Sequence, residues 1–176
     1  GLNPLEMEIW NGFVFVRFQP GPQPSVASLM ARFDEDVAPH DLENLVAVDG
    51  MLGSMESAPV NWKSVRDVDN EGYHVAMAHP GLHDLYGNNY IDEPMQGMTT
   101  RSVGVIDSSP SRLWSVRHYK ALLNKLPEPW VSLPRQWIYM GLFPNTVIAM
   151  YPDSVIFYQD IPLGVGETAV RGGIYA

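Results

Sequence analysis

Residues 136–175 read QWIYMGLFPNTVIAMYPDSVIFYQDIPLGVGETAVRGGIY, and this stretch decides the fold of the chain. Runs rich in β-branched and aromatic residues alternate there with short turn-forming segments, which is the pattern of consecutive strands. We expect four strands, at Gln136–Leu142, Thr146–Tyr151, Ser154–Pro162 and Glu167–Tyr175. Because the joints are short, neighbouring strands must run antiparallel, and the stretch predicts a meander.

Upstream of the meander the pattern is mixed. A strand is expected at about Met98–Ile106 and a helix at Arg112–Leu126, whereas Gly87–Gly97 has the composition of a loop. Alternating apolar residues between Leu45 and Met55 indicate one strand or two. The predicted fold class is therefore α+β: a curved antiparallel sheet wrapped around a long helix, the helix-grip arrangement.

The N-terminal residues predict a hairpin. Asn11-Gly12 between two alternating apolar runs is the strongest short hairpin signal, with strands expected at Leu5–Trp10 and Phe13–Phe18. A two-stranded hairpin is not stable alone, so we expect it to belong to a larger sheet. The segment Pro20–Ser25 that follows has the composition of a linker.

Composition excludes several classes of protein. The 176 residues contain no cysteine, so thiolate metal sites and disulfides within the chain are ruled out. The net charge of −9 argues against a nucleic-acid partner, whose binding needs clustered Lys and Arg. No apolar run is long enough for a membrane helix and no signal peptide is visible, so no membrane association and a cytoplasmic location are expected.

Metal-capable side chains concentrate in residues 61–87, NWKSVRDVDNEGYHVAMAHPGLHDLYG, which hold three of the five histidines. A helix is expected from Asn61, as N-cap, to about Ala78. Glu71 and His74 then share one face, but His74 and His79 lie about 140° apart on a straight helix. The two imidazoles can share a metal only if the helix distorts or ends between them, which Gly72 and Pro80 permit.

Two readings of this spacing remain open on residue pattern alone. Two imidazoles and one carboxylate with open positions form the ligand set of non-haem Fe(II) oxygenases. Histidines near a helix end are equally at home as surface residues favoured by the helix dipole. A weaker third reading is a metal hydrolase with Glu71 as the base, which lacks a further ligand at a supportive spacing.

The full string adds a family resemblance. N-W-K, then E-G-Y-H, then A-H-P-G-L resembles the catalytic domain of Rieske non-haem iron oxygenase α subunits, the aromatic-ring-hydroxylating dioxygenases, over about 25 residues. WNGFVFVRF resembles the strand pair that closes the family's Rieske domain, and the stretch from MGLFPN to ETAV resembles its sheet strands. The implied fold is the helix-grip fold of START and SRPBCC proteins.

The resemblance implies roles for three residues. His74 and His79 match the two histidine ligands of the mononuclear Fe(II). Glu71 matches the carboxylate that relays electrons from the Rieske cluster of a neighbouring subunit and orients the iron histidine. The family's third, carboxylate ligand is expected beyond Ala176, and neither Asp153 nor Asp160 matches its context.

The resemblance also implies a division of the chain. Residues 1–19 would be the terminal hairpin of a Rieske domain otherwise absent, and 20–176 a catalytic mononuclear-iron domain that is incomplete at its C-terminal end. The Rieske [2Fe–2S] cluster needs two cysteines, so it would lie in a missing N-terminal part. With two of three iron ligands, this chain alone is expected to hold little iron and to be inactive.

The implied activity is oxygenation of a small organic substrate. We expect this substrate to be aromatic and the protein to take part in aromatic hydrocarbon catabolism. The oxygenase would use O₂ and electrons from NAD(P)H, supplied by a separate reductase and in some systems a ferredoxin, to hydroxylate, dihydroxylate or demethylate the substrate. The implied assembly is a homotrimer or α3β3. The alternative is a non-catalytic helix-grip module that binds small molecules, which would not need Glu71, His74 and His79.

Overall fold

The chain forms two compact units in the computed structural model, Gly1–Leu45 and Val46–Ala176. The structure describes residues 3–19, 21–51 and 53–176. The sequence analysis expected residues 1–19 to belong to a different domain from residues 20–176. That expectation stays a prediction.

The first unit begins with the predicted hairpin, followed by short helices. Asn11 and Gly12 both have positive φ, 46° and 82°, as a two-residue turn that matches strand twist requires. Ser25 caps the first helix by accepting a hydrogen bond from the Ser28 amide. The elements are β1 (Glu6–Trp10), β2 (Phe13–Arg17), α1 (Val26–Met30) and α2 (Asp34–Val37), with 3-10 turns at Ala31–Phe33, Ala38–His40 and Leu42–Asn44.

One face of the hairpin is apolar and exposed. Met7 lies opposite Val16 and Ile9 opposite Val14, so the four side chains share that face. Each of them is between 53 % and 63 % exposed. The hairpin therefore presents a row of apolar side chains on one face.

The second unit is built on a seven-stranded, wholly antiparallel sheet in the order β3-β9-β8-β7-β6-β5-β4. The first strand of this sheet in the sequence therefore pairs with the last one, and the second strand lies at the opposite edge. The strands are β3 (Gly53–Ala58), β4 (Tyr90–Gln96), β5 (Thr99–Val105), β6 (Gln136–Leu142), β7 (Thr146–Met150), β8 (Val155–Gly164) and β9 (Glu167–Tyr175). The predicted meander is therefore confirmed, and the fold is α+β with a large antiparallel sheet.

Residues 87–97 depart from the sequence prediction. This segment was expected to be a loop, but Tyr90–Gln96 forms the edge strand β4, paired with β5 from Tyr90↔Gly104 to Gln96↔Thr99. Its Asp, Glu and Pro residues are unfavourable in a central strand, yet an edge strand tolerates them. Pairing with β5 overrides the local composition.

The helices of the second unit are short. They are α3 (Trp62–Asp69), α4 (Val75–Ala78), α5 (Pro80–Tyr86) and α6 (Trp114–Leu123). The longest has ten residues, and none in the described part of the chain is long and apolar enough to cross a membrane. Leu85, Tyr86 and Val116 form a buried cluster that packs against Trp137, so α5 and α6 cover the sheet face that carries this side chain.

Candidate metal centre

The predicted helix from Asn61 to Ala78 is interrupted in the middle, and the interruption creates the site. Asn61 caps α3 as expected, through its side chain and the Lys63 amide, but the helix ends at Asp69. Residues 70–74 form a non-helical segment, called here the histidine loop, before α4 begins at Val75. The prediction of a continuous helix is wrong between these points, whereas the expected end of the helix between the two histidines is present at Ala78.

Two hydrogen bonds to the sheet fix the histidine loop outside the helix. The Thr100 hydroxyl on β5 donates to Asn70 Oδ1 at 2.8 Å. The Gly72 amide donates to Asp92 Oδ2 on β4 at 2.6 Å. The bond from the Gly72 amide takes the place of the one that a continuing helix would have made to the carbonyl four residues earlier, so the tertiary structure decides the course of the backbone here.

The imidazoles of His74 and His79 lie close together. The ring centroids of His74 and His79 are 5.1 Å apart, at an interplanar angle of 74°. His79 itself has φ −126° and ψ 71°, which separates α4 from α5, and Pro80 starts the next helix. The histidines that would lie 140° apart on a straight helix are therefore neighbours.

Glu71 determines which nitrogen of His74 is free. Its Oε1 lies 2.5 Å from His74 Nδ1, and its Oε2 accepts from the His74 amide at 3.3 Å. Because an ionised carboxylate can only accept, Nδ1 is the protonated nitrogen of the neutral ring, and Nε2 of that tautomer has the lone pair that a metal would bind. This carboxylate–imidazole pair is the arrangement that orients metal-binding histidines in proteins.

A small cavity of about 110 Å³ adjoins the pair. Its walls combine the polar groups of the histidine loop with an aromatic surface from the sheet and α5. The lining includes Asp69, Glu71, His74, His79, Tyr86, Tyr90, Trp137 and Tyr139. The cavity could therefore place a small organic group beside both imidazoles.

A partly buried charge cluster borders this cavity, and no motif in the sequence indicated it. Arg66 Nη2 donates to Asp69 Oδ2 at 3.1 Å, and the Tyr158 hydroxyl donates to the same oxygen at 2.7 Å. Arg66 Nη1 lies 3.4 Å from Asp160 Oδ2, and Asp160 is fully buried. The alternation of β8 places Tyr158 and Asp160 on one face, but only the tertiary structure brings α3 to them.

Burial governs the protonation of both carboxyls in the cluster. Desolvation raises the pKa of Asp69, against the hydrogen bond from Tyr158 and the charge of Arg66. Desolvation also raises the pKa of Asp160 to about 6, partly opposed by Arg66. The charge cluster therefore holds protons more readily than exposed carboxyls do.

The described residues supply two imidazoles but no third metal ligand. Among residues 3–19, 21–51 and 53–176, no three His, Asp or Glu side chains are grouped so that they could hold a metal ion. Asp153 accepts from the Tyr119 hydroxyl, and Asp160 faces Arg66. The donor chemistry of His74 and His79 fits a divalent transition metal.

A second, larger cavity of about 540 Å³ lies along the length of α3, from Trp62 to Asn70. Trp62, Asp67, Met98 and Phe143 contribute to its lining, and neither histidine does. The sequence placed Asp67 in one stripe with Glu71 and His74. The end of the helix at Asp69 separates them, because residues beyond it no longer follow the helical repeat.

Comparison with known proteins gives consistent results. The family model described as "Ring hydroxylating alpha subunit (catalytic domain)" matches residues 31–176. The chain is 35 % identical over 82 residues to the glycine betaine monooxygenase oxygenase subunit of Chromohalobacter salexigens, and 32 % identical over 83 residues to that of Pseudomonas aeruginosa. Each match covers 47 % of this chain and 18 % of the relative.

Solved structures extend the similarity to nearly the whole chain. The quaternary ammonium Rieske monooxygenase CntA is similar over 98 % of this chain, at a TM-score of 0.70 and 20 % identity. Naphthalene 1,2-dioxygenase from Rhodococcus sp. is similar over 97 %, at a TM-score of 0.65 and 14 % identity. At these identities the likeness concerns the fold. The chain spans 42 % and 44 % of those two proteins.

Proposed function

Because the chain belongs to the ring-hydroxylating α-subunit family, through its catalytic domain, we propose that it is part of a Rieske-type oxygenase acting on a small organic substrate. The observation that supports this proposal best is the convergence of His74 and His79, with Glu71 bound to His74 Nδ1. A non-catalytic binding module has no use for a carboxylate that fixes one imidazole tautomer beside a second imidazole.

His74 and His79 would hold Fe(II) through ring nitrogens, with a carboxylate from outside the 176 residues as the third ligand. Iron in such a site supplies the binding and activation of O₂. The part of the chain described here would orient the ligands: Glu71 keeps Nδ1 of His74 protonated, and the break before Pro80 aims His79. The aromatic wall of the small cavity would limit access of water.

Glu71 has a second proposed role, in electron transfer between subunits. Its side chain is 26 % exposed, so a donor outside this chain can reach the carboxylate. Tyr73 and Met77 beside it are 85 % and 90 % exposed, which gives a partner apolar surface to cover. The proposed partner is a neighbouring subunit that carries a Rieske [2Fe–2S] cluster, in a homotrimer or α3β3 assembly served by a reductase and in some systems a ferredoxin.

The substrate proposed for the small cavity is an organic molecule that presents a compact group to the histidines. Relatives of this chain include a monooxygenase for glycine betaine and an enzyme for naphthalene, so both alkylammonium and aromatic compounds belong in a first screen. Tyr86, Tyr90, Trp137 and Tyr139 offer aromatic faces that suit either class. NAD(P)H would serve as the distant electron source, through the reductase.

Metal titration tests the proposed site. We expect Co²⁺, followed by its visible absorption, to bind weakly, and we expect iron to be largely lost on desalting because one ligand is missing. His74→Ala and His79→Ala should each abolish the Co²⁺ signal. His118→Ala is the matched control, because His118 is exposed and stacks on Trp114, with 5.1 Å between ring centroids.

Two results would contradict these expectations. Co²⁺ binding that survives both histidine substitutions would overturn the assignment of the centre. Iron retained near one equivalent through His74 and His79 would show that the third ligand lies within the chain.

A further inference from the structure

We propose that Asp92 and Tyr90, on the edge strand β4, are positioning residues that set the geometry of the Glu71–His74 pair by clamping Gly72. The inference rests on the proposed function, in which that pair presents His74 Nε2 to a metal. It assigns to β4 a role that no motif in the sequence indicates, since these residues lie about 20 positions away from the histidine loop.

Gly72 is held by its backbone amide. The amide donates to Asp92 Oδ2 at 2.6 Å, a charge-assisted bond of the kind that is stronger than one between neutral groups. Gly72 stands directly after Glu71 and two residues before His74. Any movement of its peptide plane therefore changes the distance between the carboxylate and the imidazole.

Tyr90 closes the same position sterically. A Cβ atom added to Gly72 would lie 2.1 Å from the Tyr90 ring and 3.2 Å from Asp92 Oδ2. The ring has little room to retreat, because it packs against Tyr86, with 6.1 Å between centroids. Only glycine lets the histidine loop approach β4 this closely.

The two sheet contacts bracket Glu71. On one side Asn70 is tied to Thr100 of β5, and on the other Gly72 is tied to Asp92 of β4. Tyr90 and Asp92 are two residues apart on one strand, so their side chains lie on the same face. Adjacent strands thus bind the residues on both sides of the proposed relay carboxylate, Asn70 through its side chain and Gly72 through its backbone.

A carboxylate that binds a backbone amide elsewhere in the chain should not affect the Glu71–His74 pair. Asp107 provides the comparison, because its Oδ1 accepts from the Ser109 amide at 2.8 Å away from the histidine loop. Both carboxylates bind one backbone amide, but only the amide held by Asp92 adjoins Glu71. Asp107→Ala is therefore the matched control for the loss of a carboxylate cap.

The test is nuclear magnetic resonance on the full 176-residue chain, with ¹⁵N-labelled histidine and backbone. In Asp92→Ala we expect amide exchange at Gly72 to accelerate at least about tenfold, since one charge-assisted hydrogen bond is lost. We also expect the Nδ1 resonance of His74 to shift or broaden. Asp92→Asn keeps an acceptor oxygen, so it should restore the wild-type His74 resonance, and Asp107→Ala should leave that resonance unchanged.

A second variant keeps the test decisive if Asp92→Ala does not fold. Gly72→Ala keeps Asp92 but meets the Tyr90 ring, and it should move the same His74 resonance. If Asp92→Ala accelerates exchange at Gly72 and His74 does not respond, Asp92 is a simple cap and the inference is wrong. A Gly72 amide that exchanges freely in the wild type would overturn it as well.

Metal binding is measured separately, so the two proposals fail independently. A His74 response to Asp92→Ala without Co²⁺ binding to the wild-type chain would sustain the clamp and count against the oxygenase centre. The opposite outcome is that Co²⁺ binds through His74 and His79, and that Asp92→Ala changes neither this binding nor the His74 resonance. It would support the metal centre and count against the clamp.

Discussion

Replacing Asp160 by Asn should change how the stability of the chain depends on pH. The carboxyl is fully buried, and burial raises its pKa from the ordinary 3.8 to about 6. A raised pKa in the folded state means that the native protein holds this proton more tightly than the unfolded chain. The resulting stabilisation is complete below pH 4 and is lost as the pH rises through 6.

The shift sets the size of the effect. At about 1.4 kcal/mol for each pH unit, the difference between 3.8 and about 6 corresponds to about 3 kcal/mol. About half of that falls between pH 5 and pH 8, and the rest lies near or below the isoelectric point of 4.8, where solubility is poor. The unfolding free energy of Asp160→Asn minus that of the wild type should therefore rise by about 1 kcal/mol from pH 5 to pH 8.

Urea denaturation at pH 5, 6, 7 and 8 measures this difference directly. Arg66 stays neutralised in the variant, because Asp69 still accepts from its Nη2. Asp107→Asn is the control: backbone hydrogen bonding from Ser109 lowers the pKa of Asp107, so both states are ionised over this range and its difference should be flat. A flat or falling difference for Asp160→Asn would refute the reasoning.

Further substitutions test the centre and the sheet. Glu71→Ala should weaken Co²⁺ binding by about tenfold or more, because His74 loses the acceptor that fixes its tautomer, whereas Glu71→Gln should weaken it less; equal losses would contradict this. Gly172→Ala should lower the melting temperature markedly, since the added Cβ would lie 2.1 Å from the Phe157 carbonyl oxygen, while Gly166→Ala meets no atom within 4 Å and should be neutral. A stable Gly172→Ala variant would show that β8 and β9 can separate locally.

The meander could be predicted because its signal is local. In Gln136–Leu142 and Glu167–Tyr175 the strand-forming residues are bounded by turn residues, and the bounds agree with the structure. β4 could not be predicted in the same way. Its residues acquire strand conformation from hydrogen bonds to β5, which the composition of the segment does not encode.

The sequence indicated the residues proposed for the centre but not their arrangement. The sequence indicated His74, His79 and Glu71, together with a helix that had to deform between the histidines. Asp92 and Thr100 bind the histidine loop across 20 and 30 residues of sequence and hold it outside the helix, whereas the break between the two histidines lies at His79. Such contacts depend on the assembled sheet, and no periodicity within residues 61–87 contains them.

The exposed face of the N-terminal hairpin bears on the behaviour of the isolated chain in solution. Met7, Ile9, Val14 and Val16 form an apolar ribbon, and a two-stranded ribbon has unpaired strand edges. The net charge of −9 keeps molecules apart at low ionic strength. Added salt screens that repulsion and leaves the ribbon free to pair, so colloidal stability should fall as salt rises, and low-salt buffers are the suitable medium for the measurements above.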